Sequence, residues 1–536
     1  MNATMMDVPL SLNALLERAG RLFPTQQILS RLPDKSIRRH SFAEYYRRTR
    51  ALASALQKLG VRKGDRVATL CWNHHAHLEC YFGIPAAGAV MHTLNLRLSP
   101  AEIGAIAADA EDRILIVDDV LLPLYRQLAS LHRFEHVLVF AFSGAPVPAE
   151  FLDYEQLLAS ADPDGFVYAE HDENDPVAMC YTSGTTGKAK GVVYSHRSTV
   201  LHTLVGCLAD CWCLKSVDAV LPVTPMFHAN AWGVPYGAVM QGAKLVLPGP
   251  HLHPEDLLDL MSAEPPTLSL GVPTIWLGLI QAYEAQPGRW KMPTGMRSMV
   301  GGSAVPEALI RAFAKYDIWL MQGWGMTETS PLATASYPKF DVADAPEAER
   351  FRRMALAGVP VPLVQLRVRT DADLDAPWDG KTVGEIQVRG PFITGRYHRV
   401  PVTDDKFTAD GWLRTGDVAA LDAQGYVRIT DRTKDLIKSG GEWISSVDLE
   451  NAIMAHPAVA EAAVIAVPDA KWGERPLACV VLKAGAAITP AALGEHLQGH
   501  GFAKWQLPDR YEFLDALPRT STGKFYKLKL REIFAR

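Results

Sequence analysis

The clearest chemical signal in the chain is a short loop of glycines, hydroxyls and lysines. An apolar run ends at Cys180 and Tyr181, and Thr182, Ser183, Gly184, Thr185, Thr186, Gly187 and Lys188 follow directly, with Lys190 and Gly191 just beyond. Glycines let a backbone turn several N–H groups toward one point, hydroxyls add donors, and lysines neutralise charge. A strand followed by such a loop is a cradle for phosphate. It is not a Walker A loop, because only two residues separate Gly184 from Gly187 and Ala189 follows Lys188. The close-set Cys207, Cys211 and Cys213 lack a second Cys or His pair at finger spacing, so they read as core packing rather than a metal site.

The elements that must position this loop are legible as alternation. Val67–Trp72, Ile114–Asp118, His136–Phe142, Val177–Thr182, Ala219–Val223 and Lys244–Leu247 read as buried strands. Phe42–Leu59 and Pro254–Ala263 read as amphipathic helices between them, which argues for α/β layers with largely parallel sheets. After about Gly358 the pattern changes. Val364–Thr370, Gly384–Arg389 and Gly425–Thr430 alternate with period two, as the antiparallel strands of a smaller barrel or sheet do. A last unit begins near Asp431, with a helix over Ser446–His456 capped by Ser445 and Asp448, strands at Ala462–Val467 and Cys479–Leu482, and a helix over Pro490–Gln498. Bulk properties agree with a water-soluble protein of several units: 536 residues, 48% hydrophobic, 21% charged, net charge −5. The charge balance argues against nucleic acid as a partner. No apolar run is long enough to span a bilayer, and neither terminus carries a targeting pattern, so a cytoplasmic location is expected.

Further motifs follow the loop: Gly301, Gly302, Ser303 and Ala304; Gln322, Gly323, Trp324, Gly325, Met326, Thr327 and Glu328; Gly411 to Asp417; Asp431 to Asp435; Lys438 to Ser445; and Pro518 to Lys524. Together, and in this order, they resemble the adenylate-forming superfamily, which contains acyl-CoA synthetases, beetle luciferases and the adenylation domains of peptide synthetases. The resemblance covers nearly the whole chain. It implies a large N-terminal domain, residues 1–433, of two stacked α/β subdomains plus a small antiparallel β-barrel. A small mobile α+β C-terminal domain, residues 434–536, follows. It implies ATP, Mg²⁺ and coenzyme A as ligands, and a homodimer.

The resemblance also assigns roles. Thr185 and Glu328 hold Mg²⁺, because a carboxylate beside a triphosphate repels it unless a cation intervenes. Trp324 stacks on adenine where many members have Tyr. Asp417 accepts from the ribose hydroxyls, with Arg432 on the same ribose. Lys524 enters the site between the acid's carboxylate and the α-phosphate, two anions that need a cation where they meet. Lys434 is the hinge of a domain rotation that brings Gly440 and Gly441, with Lys438, Glu442 and Trp443 beside them, to the thiol's path.

Substrate choice is expected between the loop and the Gly301 motif. No Lys, Arg, Asp or Glu occurs from Phe227 to Gln241. The acid is therefore apolar and not an amino acid, whose ammonium would want a carboxylate. His228 resembles the aromatic position that borders the acyl carboxyl, and Trp232 the gate of an acyl tunnel, with Val234 and Gly301 beside them. Medium- to long-chain fatty acids are expected. The competitors are a short thioether acid such as methylmercaptopropionate, or an aryl-alkanoic acid. Loading of a carrier protein and an inactive nucleotide-binding paralogue are the readings of other classes.

Overall fold

The computed structural model describes residues 4–182, 188–432, 435–440, 442–521 and 523–534. Two large sheets carry most of the chain. One has nine strands in the order Val359–Pro360, Leu332–Ala335, Trp319–Gly325, Arg297–Gly301, Leu268–Gly271, Ala219–Pro222, Lys244–Leu247, Gln27–Arg31 and Ile37–Ser41. Its middle is parallel and only its ends are antiparallel. The other has seven, in the order Leu152–Asp153, His136–Phe140, Asp112–Asp118, Arg66–Leu70, Val90–Thr93, Pro176–Tyr181 and Gly191–Ser195. The last of these turns back antiparallel on Pro176–Tyr181. The strands are Val/Ile/Leu-rich and buried on both faces, as parallel strands between helices must be.

Local signals set the helices between the sheets. Phe42–Lys58 starts at a reciprocal cap in which Ser41 and Glu44 satisfy each other's backbone N–H groups, and it buries Tyr45, Thr49, Leu52 and Leu56 on one face. His75–Ala86 is buried along its whole length and touches strands of both sheets, so the two layers share it. Asn73 fastens the layers as well. Its amide donates to the carbonyls of Pro222 and Thr224, and its oxygen accepts from the N–H of Met226.

Gln365–Arg369, Gly384–Arg389, Leu413–Leu421 and Val427–Arg432 form a four-stranded antiparallel sheet. Among the described residues no pairing joins its first strand to its last, so the expected barrel is an open sheet. Four strands are too few to close a ring that side chains can fill. The small C-terminal unit has its own five-stranded sheet and core. Its long hairpin Val459–Asp469 and Gly473–Leu482 is backed by Ser446–Met454 and Pro490–Gly499. No helix among the described residues is long and apolar enough to cross a membrane.

Candidate active site

In parallel α/β sheets the space beyond the carboxyl ends of the strands is where ligands bind, because loops diverge there and backbone N–H groups are left free. A cavity of about 330 Å³ opens at that place, beyond the ends of Arg297–Gly301 and Trp319–Gly325. These strands pair Gly301 with Gly323. A side chain on Gly301 would meet the Gly323 carbonyl oxygen at 2.6 Å and the Trp232 ring at 3.5 Å, so close approach dictates glycine. Buried Gln322 holds the following turn, its side-chain oxygen accepting from the N–H of Val305 at 2.9 Å.

Trp324, Asp417 and Arg432 form a connected group. The Trp324 indole N–H donates to one Asp417 oxygen at 2.8 Å, and Arg432 approaches the other at 3.1 Å. Asp417 and Arg432 are cross-strand partners, so the sheet itself fixes the pair. Trp324 therefore does more than present a ring face: it orients a buried carboxylate. Its donor hydrogen is the sequence signal for this contact. Trp324→Phe keeps the ring and removes the donor, and is expected to raise KM for ATP about tenfold with kcat little changed, a loss of ~1.5 kcal/mol. Steady-state kinetics with varied ATP check this, and an unchanged KM would contradict it.

Glu328 lies in the tight turn Thr327–Thr329 with little exposure, and accepts from the Tyr397 hydroxyl at 2.7 Å. Burial and the neighbouring carboxylate push the Tyr397 hydroxyl upward, so it stays a donor. The Thr327 carbonyl accepts from Tyr194. Among the described residues no cation forms an ion pair with Glu328, although Lys188, Lys190 and Lys406 line the same cavity. A buried carboxylate held by a neutral hydroxyl suits a hard divalent cation. Thr182, at the loop's start, exchanges hydrogen bonds with the backbone of Lys190. Ser183, Gly184, Thr185, Thr186 and Gly187 lie outside the described residues.

Lys524 reaches this cavity from the small unit. Thr520 and Lys524 bond to each other, and Gly523 has φ +85°. Ser521 docks on Asn95 and Arg97, and the Thr274 hydroxyl donates to the Gly523 carbonyl at 3.5 Å. The side chain crosses Gly302, where a Cβ would lie 3.3 Å from the lysine Cε. Burial, helped by Arg432 and opposed by Asp417 and Glu328, pulls the Lys524 ammonium down to about 8. His228 faces it and is pushed down to about 3 by burial, Lys524 and Arg97, so its ring is neutral.

The apolar half of the cavity holds Trp212, Trp232, Met299, Pro331 and Leu332. Trp232 ends a run of left-handed residues, Ala229, Asn230, Ala231 and Trp232, with φ between 43° and 59°, continued by Gly233. Each left-handed non-glycine residue costs ~1–2 kcal/mol, and such runs persist only where their surroundings hold them. Here the Cys180 thiol donates to Asn230, and Thr93 bonds the Phe227 carbonyl.

The structure thus brings Thr182, Lys188, His228, Trp232, Gly301, Gly302, Gly323 to Glu328, Arg432 and Lys524 to one cavity. Ser303, Ala304, Gln322 and Asp417 line the adjoining cleft of about 570 Å³. Val234 is fully buried and lines neither space. Lys438, Gly440, Glu442 and Trp443 stand apart on the hairpin Ile437–Ser439 and Glu442–Ile444, where Lys438 lies over the half-exposed Trp443 ring. Lys434 and Gly441 lie outside the described residues. Tyr397, Lys406 and Trp212 were not read from sequence, since no local pattern marks them. A buried Cys71, His74 and Asp118 group also went unread. Its polar atoms bond within the core, His74 to Asp118 and Asp118 to the N–H of Trp72.

Residues 16–398 match the AMP-binding enzyme family, and residues 448–524 match the AMP-binding enzyme C-terminal domain. The chain belongs to the AMP-binding enzyme family, with its large N-terminal and small C-terminal domains. Among its curated relatives is a long-chain-fatty-acid–CoA ligase of Thermus thermophilus, 49% identical over 99% of this chain and 96% of the relative. A 3-methylmercaptopropionyl-CoA ligase of Ruegeria lacuscaerulensis is 43% identical over 99% and 98%. A solved anthranilate CoA ligase in complex with anthranoyl-AMP superposes with a TM-score of 0.87 at 25% identity, covering 99% of each chain.

Proposed function

We propose that this protein is an AMP-forming acid–thiol ligase that activates a medium- to long-chain fatty acid and passes it to coenzyme A. The observation that carries the reading is the place of Lys524. It comes from the small domain to the boundary between the polar half of the cavity, with Glu328, and the apolar half, with His228 and Trp232.

In the first step a carboxylate oxygen of the acid attacks the α-phosphorus of ATP, and the bond to pyrophosphate breaks. Lys524 neutralises the two anions where they meet. Asp417, held by Trp324 and Arg432, receives the ribose hydroxyls. Glu328 and Thr185 are the residues that would hold Mg²⁺, which neutralises the departing phosphates. His228, neutral, borders the carboxyl without adding a fixed charge. In the second step residues 434–536 rotate about Lys434, withdrawing Lys524 and bringing Gly440 and Gly441 to the thiol's path. The thiol gives up its proton to solvent, its sulfur bonds the acyl carbon, and the bond from that carbon to the phosphate oxygen breaks so that AMP leaves. The domains on either side of that hinge are residues 1–433 and 434–536.

Lys524 gives the first step a pH signature. In the free enzyme the ammonium is charged below about 8 and neutral above it. The kcat/KM for ATP in acid-dependent pyrophosphate exchange is therefore expected to be level below pH 8 and to fall about tenfold per unit above it. A level profile up to pH 9.5 would contradict the assignment.

The acid is chosen by the uncharged, aromatic half of the cavity, and the relationship to a long-chain fatty-acid ligase supports a fatty acid. A short thioether acid is the second reading, supported by the relationship to the 3-methylmercaptopropionyl-CoA ligase. Pyrophosphate release with ATP, Mg²⁺ and CoA, across acids from acetate to palmitate with methylmercaptopropionate, phenylpropionate and cinnamate, separates them. Fatty acids of eight or more carbons are expected to give the highest kcat/KM, and a maximum at methylmercaptopropionate would replace the first reading with the second.

A further inference from the structure

The small domain is held against the large one by a joint that the chemistry above does not use. Asp431 belongs to the large body, since its strand Val427–Arg432 pairs with Leu413–Leu421 in register Val418 to Asp431. Its carboxylate is buried, and one oxygen accepts from the backbone N–H of Ser446 at 2.9 Å. Ser446 is the first residue of the helix Ser446–Met454, so Asp431 satisfies a donor that the helix leaves open and meets its positive end. Two neighbours on the same strand grip the same helical turn. The Thr430 carbonyl accepts from the Ser445 hydroxyl at 2.6 Å, and Arg428 pairs with Asp448 at 3.1 Å.

Lys527 lies against this joint from the other side. It begins the last helix, Lys527–Phe534, three positions after Lys524. Its ammonium is 2.8 Å from buried Glu450 and donates to the Ser446 hydroxyl. Asp431 and Asp435 add to its field, so it stays charged despite burial. Burial pushes the Asp431 carboxyl upward, and Lys527 is the leading charge opposing that. The contacts run in series from the large-body strand through the start of the helix to Lys527 and the segment that carries Lys524.

We propose that Lys527, with Asp431 and Glu450, is a positioning residue that latches the small domain in the orientation where Lys524 reaches the cavity. The proposal rests on the domain rotation inferred above. Asp431 precedes the hinge and stays with the large body, whereas Ser446, Glu450 and Lys527 leave with the small one. Rotation therefore parts a buried carboxylate from its helix N–H and its counter-charge. Parting a buried charge from its partner is unfavourable, so an intact latch favours the adenylating arrangement over the thiol-accepting one. The latch touches no reacting atom, and so biases the balance of the two steps without entering either.

The test is Asp431→Asn, a change of near-equal size that removes the charge while Glu450 still pairs with Lys527. Both half-reactions are followed: acid-dependent ATP–pyrophosphate exchange, and thioester formation from supplied acyl-adenylate. The exchange kcat is expected to fall about tenfold with KM for ATP within twofold, while thioester formation holds or rises. Lys527→Met is expected to repeat the pattern, and Lys527→Arg to restore most of the exchange. Unchanged exchange in Asp431→Asn would overturn the latch. So would equal loss of both half-reactions with a lowered Tm, which marks a structural pair. The parent enzyme separates the two claims: if it shows neither half-reaction, the ligase reading fails, and if it shows both while the variants keep their balance, the latch alone fails.

Discussion

Lys524→Ala is expected to lower acid-dependent ATP–pyrophosphate exchange about 10³-fold while leaving thioester formation from supplied acyl-adenylate within about threefold of the parent. Removal of one preorganised charge or donor at a developing anion typically costs 10²–10³ in rate. Here two anions must meet, and the ammonium reaches the cavity across Gly302 from its own domain. The supplied adenylate no longer has that encounter to make, so the second half-reaction is spared. Stopped-flow or isotope-exchange measurement of the separate steps checks it, and equal loss of both would contradict the division of labour.

Gly302→Ala is expected to reproduce much of that defect without touching the lysine. Gly302 has φ +87°, a conformation that a side chain strains by ~1–3 kcal/mol. The added methyl would lie 3.3 Å from the Lys524 Cε and 3.4 Å from Val272 Cγ1, tight enough to displace the ammonium. A displacement of ~1 Å at a reacting centre costs about 10²-fold, so the exchange rate should fall by that order, with the thioester step again spared. The pair of variants forms a cycle. If the glycine acts through the lysine, Gly302→Ala adds little in the Lys524→Ala background. Full additivity would mean that Gly302 serves something else.

These predictions use contacts that a sequence shows unevenly. Short, locally determined features were legible. Lys244–Leu247, Gly384–Arg389 and Pro254–Ala263 have the bounds read from hydrophobic pattern and proline, because each is set by its own residues. The joining of Gln27–Arg31 to Lys244–Leu247 across more than two hundred residues was not, since register between distant strands is decided by packing. Whether the small antiparallel sheet closes was not legible for a related reason: period-two alternation marks antiparallel strands but fits a barrel or an open sheet alike, and the described residues form an open sheet.

The site divides in the same way. Gly301, Gly302, Trp324, Glu328 and Lys524 stood out because glycine, carboxylate and lysine in ordered motifs have few other uses, and they share one cavity. Tyr397 comes from a turn with no motif, and only the fold places its hydroxyl on Glu328. Trp324 was read for its ring, while its N–H bond to Asp417 depends on a strand 93 positions away. Val234 was drawn into the acyl reading by its neighbours, but it starts the helix Val234–Gln241 and turns into the core. Sequence proximity to a site residue does not set direction; the left-handed turn at Ala229–Gly233 does.

The most direct test of the whole account is to identify the products made with octanoate, ATP and Mg²⁺, first without CoA and then with it, by mass spectrometry. The account predicts octanoyl-adenylate and pyrophosphate in the first reaction, and octanoyl-CoA with AMP in the second, the adenylate being consumed as the thioester appears. ADP and phosphate in place of AMP and pyrophosphate, or an adenylate that CoA leaves untouched, would contradict it.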